Sequence, residues 1–168
     1  CIRDRGCLAQ GAYYIESNGE AAVIDPLREV DPYLKRAHKN KASIKYIFET
    51  HFHADFVSGH LTLSKKTKAP IVFGPLADPD FDVIIAEDGQ TFHIGDVTII
   101  ALHTPGHTME STTYLLRDST GKDHAIFSGD TLFLGDVGRP DLAQKQGKMT
   151  QEQLAETLFD SLRNKIMP

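Results

Sequence analysis

The sequence predicts a single α/β domain. Segments with the apolar, β-branched composition of strands alternate with segments that have helical periodicity. Ligand-type residues stand directly after several of the predicted strands. The chain has 168 residues, 40% of them hydrophobic, which is enough for one good core. Because α/β proteins bind their ligands at strand ends, we expect a functional site there.

Turn and cap signals predict the first elements of the chain. Residues 12–16 and 21–25 are predicted to pair as an antiparallel hairpin, because Asn18 and Gly19 between them supply the positive φ angles of a tight turn. Residues 31–40 are predicted to form a short helix with a proline in its first turn.

The pattern continues through the rest of the chain. The further predicted elements are a strand at 46–49, a helix at 60–68 and strands at 71–73, 97–102, 112–117 and 125–128. The last helix is predicted to begin at Thr150, because Thr150 and Gln153 have the spacing of a capping box. Leucines recur every four residues after it, which predicts one buried face.

Two imidazoles and a carboxylate occupy alternate positions directly after the predicted strand at 46–49. These residues are His51, His53 and Asp55. In extended backbone, side chains two positions apart share a face, so the three can converge on one point. This pattern is typical of a metal site.

Two later segments bring further metal ligands to turns that follow predicted strands. A Pro-Gly turn aims His107 inward. Asp130 stands at the end of the strand at 125–128, after Gly129, which allows a close approach of the backbone to a neighbouring segment. The predicted metal ligands are therefore His51, His53, His107 and Asp130.

Three segments read Thr-His-Phe-His-Ala-Asp, Thr-Pro-Gly-His-Thr and Phe-Ser-Gly-Asp, in that order. They resemble the metal motifs of the metallo-β-lactamase fold superfamily. Residues 128–141 resemble the branch with persulfide (sulfur) dioxygenases and their rhodanese-fused bacterial relatives, and glyoxalase II is the nearest cousin outside it. For residues 1–168 the resemblance implies the superfamily's α/β fold, a four-layer αβ/βα sandwich of two mixed sheets.

The resemblance implies a dioxygenase that oxidises a low-molecular-weight thiol persulfide to sulfite and thiol at one Fe(II) ion per chain. His51, His107 and Asp130 are the two imidazoles and the carboxylate of a facial set that suits ferrous iron. The resemblance places His53 beside the metal. Asp55 is then expected to act in catalysis by orienting a ligand histidine or a water at the metal.

A zinc-dependent thioester hydrolase of the glyoxalase II type is the alternative. In it the three motif histidines hold Zn²⁺, and Asp55 and Asp130 reach toward a second ion. Phe56 argues against this alternative, because it replaces the last histidine of H-x-H-x-D-H and a phenyl ring cannot bind a metal.

The late histidine that completes the second metal site in the superfamily has no counterpart after Asp130. We therefore expect a domain that is incomplete at its C-terminus and, because the first residue is Cys1 rather than Met, also at its N-terminus. A non-catalytic sulfur-carrier or docking fragment stays open as an alternative of another class.

Three more residues are expected near the site. The Arg139 guanidinium could bind a substrate carboxylate or sulfite through two hydrogen bonds. Equally, Arg139 could pair with Asp141 and brace the loop. Asp141 and His60 are expected to support the site from neighbouring positions. For His60, near the start of a predicted helix, support or capping is favoured over metal binding.

Composition limits the range of partners. The 18 Lys and Arg residues against 23 Asp and Glu give a net charge of −5 without a basic stripe, so nucleic acid is not an expected partner. No segment approaches the roughly 20 apolar residues that span a bilayer.

We expect a small thiol persulfide or thioester substrate, a rhodanese domain as a partner, and a cytoplasmic location. Homo-oligomerisation is left open. Two cysteines, Cys1 and Cys7, are too few for a disulfide framework.

Overall fold

The structure is a computed structural model that describes residues 2–5, 8–141 and 149–168. Cys1 and Cys7 lie outside the described residues. The elements in chain order are β1 (Ile2–Arg5), β2 (Leu8–Ser17), β3 (Glu20–Ile24), α1 (Asp31–Asn40), β4 (Ser43–Phe48), α2 (His60–Thr67), β5 (Ile71–Phe73), β6 (Ile84–Ile85), β7 (Thr91–Ile94), β8 (Val97–His103), β9 (Thr112–Arg117), β10 (Asp123–Phe127) and α3 (Gln151–Ser161).

Two sheets form the frame of the molecule. The first has the strand order β1-β2-β3-β4-β5-β6, with antiparallel pairing from β1 to β3 and parallel pairing from β3 to β6. The second is antiparallel, in the order β10-β9-β8-β7. The predicted α/β fold with two sheets is confirmed, although the second sheet is antiparallel rather than mixed among the described strands. Parallel pairing brings the carboxyl ends of β3, β4 and β5 to one edge of the first sheet.

Helices α1 and α2 cover one face of the first sheet. Tyr33 and Ala37 of α1 and Leu63 of α2 belong to one buried cluster with strand residues such as Val23 and Ile47. Burying each large apolar side chain contributes about 1.5–3 kcal/mol. The helices are therefore held to the sheet mainly by this apolar layer.

The opposite face of the first sheet packs on the second sheet. Phe48 of β4 lies between aromatic rings of the second sheet, with centroids 5.2 Å from Phe92 and 4.8 Å from Tyr114. All three rings are buried, and Ile24 and Ile99 belong to the same cluster. Such aromatic pairs add about 0.5–1.5 kcal/mol beyond their burial. This layer fixes the second sheet relative to the end of β4.

Most predicted elements are confirmed. Helix α1 and strands β5 and β9 have the predicted bounds, and the other predicted elements differ by up to four residues at their ends. The hairpin turns at Asn18 and Gly19, with φ angles of 45° and 77°. The capping box forms in both directions, because the Gln153 amide donates to Thr150 Oγ1 over 3.3 Å and the Thr150 amide to Gln153 Oε1 over 2.9 Å.

The sequence analysis missed three strands, β1, β6 and β7. Strand β6 has two residues, which is too short for a periodic pattern. In β7 only Phe92 and Ile94 are apolar and buried. Two apolar residues are too few for the alternation of apolar and polar residues to be recognised as a strand. Among the described residues, no helix has both the length and the apolar character needed to cross a membrane.

The end of β10 approaches the end of β4 at Gly129. This glycine has a φ angle of +50°, and a Cβ built on it would lie 2.3 Å from Thr50 Oγ1. The predicted close approach at Gly129 is therefore confirmed, and its partner is the residue before His51. No larger side chain fits without moving Thr50.

We predict that Gly129→Ala lowers the free energy of unfolding by about 2–4 kcal/mol, because it adds a steric overlap to an unfavourable φ angle. Urea denaturation measures the loss. Gly19→Ala is the matched control, since Gly19 also has a positive φ but no neighbour within 4 Å of an added Cβ. Gly19→Ala should lower the free energy of unfolding by only about 1–2 kcal/mol. Equal losses in the two variants would contradict a tight contact with Thr50.

Candidate metal centre

Three side chains from distant segments meet at one edge of the sheets. His51 follows β4, His107 lies in the turn after β8, and Asp130 follows β10. One donor atom from each lies within 4.8 Å of the other two. The Asp130 Oδ2 atom is 3.9 Å from His51 Nε2 and 3.6 Å from His107 Nε2. Donors about 2.1 Å from one ion are about 3.0–3.4 Å apart, so small side-chain shifts close this group around a cation.

A chain of hydrogen bonds orients His51. The Thr50 hydroxyl donates to Asp25 Oδ2 over 2.9 Å, so its oxygen is free to accept from His51 Nδ1, 3.0 Å away. This places the proton of neutral His51 on Nδ1 and leaves the Nε2 lone pair facing Asp130. Burial and the nearby His53 charge lower the pKa of His51 to about 3. His51 is therefore a neutral nitrogen donor.

A backbone carbonyl orients His107 in the same way. His107 Nδ1 donates to the carbonyl oxygen of Arg139 over 3.0 Å, which leaves Nε2 directed to Asp130. The loop comes this close because Gly138 has no side chain. A Cβ built there would lie 1.7 Å from the Asp130 carbonyl oxygen. Both histidines thus present Nε2 as the donor.

Asp130 supplies the carboxylate of the group. Its side chain is 38% exposed, and burial raises its pKa. The nearby Asp55 and Asp25 charges act in the same direction, while His107 and His53 oppose them. A cation at the centre would stabilise the ionised form of this carboxylate.

His53 does not join the group formed by His51, His107 and Asp130. Its Nε2 lies 3.1 Å from Asp25 Oδ1 and 3.5 Å from Glu49 Oε2, and its side chain is 4% exposed. Burial alone would lower the pKa of His53, but Asp25 and Glu49 raise it to about 9. The imidazole faces these two carboxylates rather than the donor group, so metal binding by His53 stays a prediction that this orientation does not favour.

Asp25 and Glu49 are buried site residues that the sequence analysis missed. Each follows directly after a strand, β3 or β4, and that position was a signal that could have found them. Burial alone would raise the pKa of Asp25, but the His53 charge holds it below its ordinary value. Burial raises the pKa of Glu49. A third buried acid, Glu110, accepts a hydrogen bond of 3.0 Å from the amide of Phe52, between the two motif histidines.

Asp55 and His60 lie outside the donor group. Asp55 is exposed, and the structure relates it to the group only as a charge near Asp130. His60 does not cap α2, whose N-cap is Gly59. The His60 Nδ1 atom lies 3.3 Å from Glu49 Oε1. The His60 ring stacks on the Phe81 ring, with the ring centroids 5.3 Å apart. A supporting role for His60 and a catalytic role for Asp55 both stay predictions.

Arg139 and Asp141 pair with each other. Arg139 Nε donates to Asp141 Oδ1 over 2.6 Å, and a second guanidinium nitrogen contacts Oδ2. This is the arrangement that braces the loop. The Arg139 side chain is 67% exposed, so substrate binding by Arg139 stays a prediction, as does support of the site by Asp141.

A cleft opens beside the donor group. Its volume is about 450 Å³, within the range of sites that take small molecules. The cleft is lined by Gly11, Tyr13, Asp25, His53, Ile126, Ser128, Gly129, Asp130, Leu132, Phe133 and Leu134. The buried side chains of Asp25 and His53 lie at its inner end, and the exposed side chains of Phe133 and Leu134 lie at its mouth. A small substrate can therefore reach the Asp130 carboxylate.

Comparison with known proteins identifies the family. Residues 5–167 match the Metallo-beta-lactamase superfamily. A probable hydroxyacylglutathione hydrolase of Schizosaccharomyces pombe is 39% identical over 127 residues, which cover 74% of this chain and 48% of that protein. The chain spans about half the length of the curated relatives it matches.

Solved structures agree with this match. A metallo-beta-lactamase from Staphylococcus aureus is 32% identical, with a TM-score of 0.87 over 98% of this chain and 51% of that chain. ETHE1 from Myxococcus xanthus is 27% identical, with a TM-score of 0.80 over 100% of this chain and 70% of that chain. The ETHE1 structure and the hydroxyacylglutathione hydrolases fit the two branches that the motifs resemble. The chain therefore belongs to the metallo-β-lactamase superfamily.

Proposed function

We propose that the chain forms the metal centre of a persulfide dioxygenase, in which His51, His107 and Asp130 hold one Fe(II) ion. The observation that carries the proposal is the composition of the donor group, which contains two imidazoles and one carboxylate but not His53. A set of this kind leaves positions on ferrous iron open. The similarity to ETHE1 over the whole chain supports the same branch.

The residues present fit such an ion. Both imidazoles are held by their Nδ1 atoms so that Nε2 faces the carboxylate, as metal-binding histidines require. When bound, ferrous iron would supply open coordination positions and redox chemistry for a thiolate and dioxygen.

The cleft residues would position the substrate. The exposed side chains of Phe133 and Leu134 at the mouth would contact the carbon chain of a thiol, and Tyr13 lines the wall. His53, at the inner end, places a buried positive charge near the terminal sulfur of an anionic persulfide. In this proposal Arg139 receives a substrate carboxylate or sulfite, and Asp55 orients a group at the metal.

Thioester hydrolysis with Zn²⁺ is the second candidate, and the comparisons favour it over persulfide oxidation. The Schizosaccharomyces pombe relative is described as a probable hydroxyacylglutathione hydrolase, and an Arabidopsis thaliana relative at 36% identity as a cytoplasmic hydroxyacylglutathione hydrolase. Two residues oppose it. Phe56 offers no donor at a motif position, and His53 is turned toward Asp25. Both candidates act on a small thiol derivative.

The remaining expectations stay proposals. We propose a cytoplasmic location, which agrees with the name of the Arabidopsis thaliana relative. A rhodanese domain as partner and a homo-oligomer are proposed from the sequence resemblance alone. A non-catalytic sulfur-carrier or docking fragment would keep the donor group without turnover.

We predict oxygen uptake with glutathione persulfide after anaerobic loading of the chain with Fe(II). An oxygen electrode records uptake, and sulfite is measured in parallel. His107→Ala should lower the rate more than about 100-fold, because it removes a donor rather than a group beside one. His124→Ala is the matched control, since His124 is an exposed histidine of β10. The same samples receive S-lactoylglutathione, and thioester cleavage without oxygen uptake would establish the hydrolase instead.

We predict that Thr50→Val weakens metal binding about 10–100-fold, because His51 Nδ1 loses its hydrogen-bond partner and the ring loses its orientation. Valine keeps the shape of threonine, so the contact with Gly129 is preserved. Thr50→Ser keeps the hydroxyl and should bind within about threefold of the wild type. Competition with a chelating dye measures the dissociation constants. Equal affinities for the Val and Ser variants would show that the hydroxyl does not hold His51.

A further inference from the structure

His53 stands two positions after a proposed ligand, yet its imidazole is directed into a buried acidic pocket. Its Nε2 lies 3.1 Å from Asp25 Oδ1 and 3.5 Å from Glu49 Oε2. Its ring centroid is only 4.2 Å from that of His51. Side chains two apart in extended backbone share a face, so both rings could serve one ion. The pocket therefore competes with the donor group for the His53 imidazole.

The two carboxylates of this pocket are fixed by other donors. Asp25 accepts hydrogen bonds of 2.8 Å from the Thr50 amide and 2.9 Å from the Thr50 hydroxyl. Glu49 accepts one of 2.6 Å from the Ser58 hydroxyl. Both side chains are buried. Neither carboxylate can follow the imidazole toward the donor group, so their attraction holds it in the pocket.

Phe56 contacts the His53 ring. The two ring centroids are 4.4 Å apart, and Phe56 also packs against the apolar cluster beneath α1 and α2. A phenyl ring in this place has no donor for a metal and fills space that the imidazole would need to turn. The pocket thus combines electrostatic attraction with steric support.

We infer that Asp25, Glu49 and Phe56 hold His53 away from the ion and thereby lower the preference of the centre for zinc. The inference rests on the metal centre of the proposed function. Zinc favours tetrahedral sites rich in nitrogen donors, and three histidines with one open position are a frequent zinc site. Zn²⁺ binds most nitrogen and oxygen sites more tightly than Fe²⁺, so selectivity must come from the donor set. Withholding one imidazole changes that set.

The wild-type chain provides the first test. Co²⁺ absorbs strongly in the visible range when four-coordinate and weakly when six-coordinate. We expect one weakly absorbing Co²⁺ ion per chain. His53→Gln keeps a donor for Asp25, and it should leave the Fe²⁺ dissociation constant within about threefold of the wild-type value. An intense four-coordinate spectrum, two ions per chain, or a loss of more than about tenfold in the variant would each overturn the inference.

Release of His53 provides the second test. Asp25 is left intact because it also holds Thr50. The single variant Glu49→Gln removes the attraction of Glu49 for His53. The double variant Glu49→Gln with Phe56→Leu also removes the steric support of the phenyl ring. We expect the ratio of Zn²⁺ to Fe²⁺ affinity, measured by anaerobic chelator competition, to rise at least about tenfold in the double variant. The Co²⁺ absorption should intensify in parallel.

Glu110→Gln is the matched control. Glu110 is also a buried glutamate beside the same loop, but it accepts from the Phe52 amide rather than facing His53. In the Glu110→Gln variant, the ratio of Zn²⁺ to Fe²⁺ affinity should stay within about threefold of the wild-type ratio. An equal change in the control and the double variant, or no change in a folded double variant, would overturn the inference. These measurements use no substrate, so failure to take up oxygen would refute only the proposed function.

Discussion

The carboxylate of Asp25 is buried at the end of β3, and three donors of one loop converge on it. The Thr50 amide and hydroxyl donate to its two oxygens, and His53 pairs with it. Asp25 itself has a φ angle of 47°, a left-handed conformation that aspartate tolerates better than most residues. Removing the partner of a buried charge typically costs about 3–5 kcal/mol. The orientation of His51 and the position of His53 both depend on this one group.

The second sheet secures the same loop from the other side. Strand β9 begins with the Thr112 amide, which donates to the Thr50 carbonyl over 2.8 Å. The buried Tyr114 hydroxyl donates to the Glu49 carbonyl over 3.0 Å, and its ring packs on Phe48. The sheet interface therefore does more than bury apolar surface. It fixes the backbone from which His51 and His53 project, and this rigidity keeps the donor atoms of the group close enough for small side-chain shifts to close them around an ion.

Local patterns predicted most of what is local in this structure. Helix α1, strands β5 and β9, the hairpin turn and the capping box each depend on residues close in sequence. The meeting of His51, His107 and Asp130 was also predictable, because each follows a strand-like segment. The direction of the His53 ring was not predictable from local sequence. It depends on the parallel neighbours β3 and β4, which bring two acids to one edge of the sheet.

The relatives favour thioester hydrolysis, whereas the donor group suits iron. This contrast arises because the fold places its reactive residues at strand ends. The strand ends keep donor positions in place regardless of the reaction, so overall similarity reports the scaffold more than the reaction. The reaction depends on how many imidazoles reach the ion and on whether a second ion has ligands. In this chain Phe56 offers no donor at a motif position, and the imidazole of His53 faces Asp25 and Glu49 rather than the donor group. We therefore propose that the side chains around this one loop bear more directly on the choice between oxidation and hydrolysis than identity spread over the whole chain does.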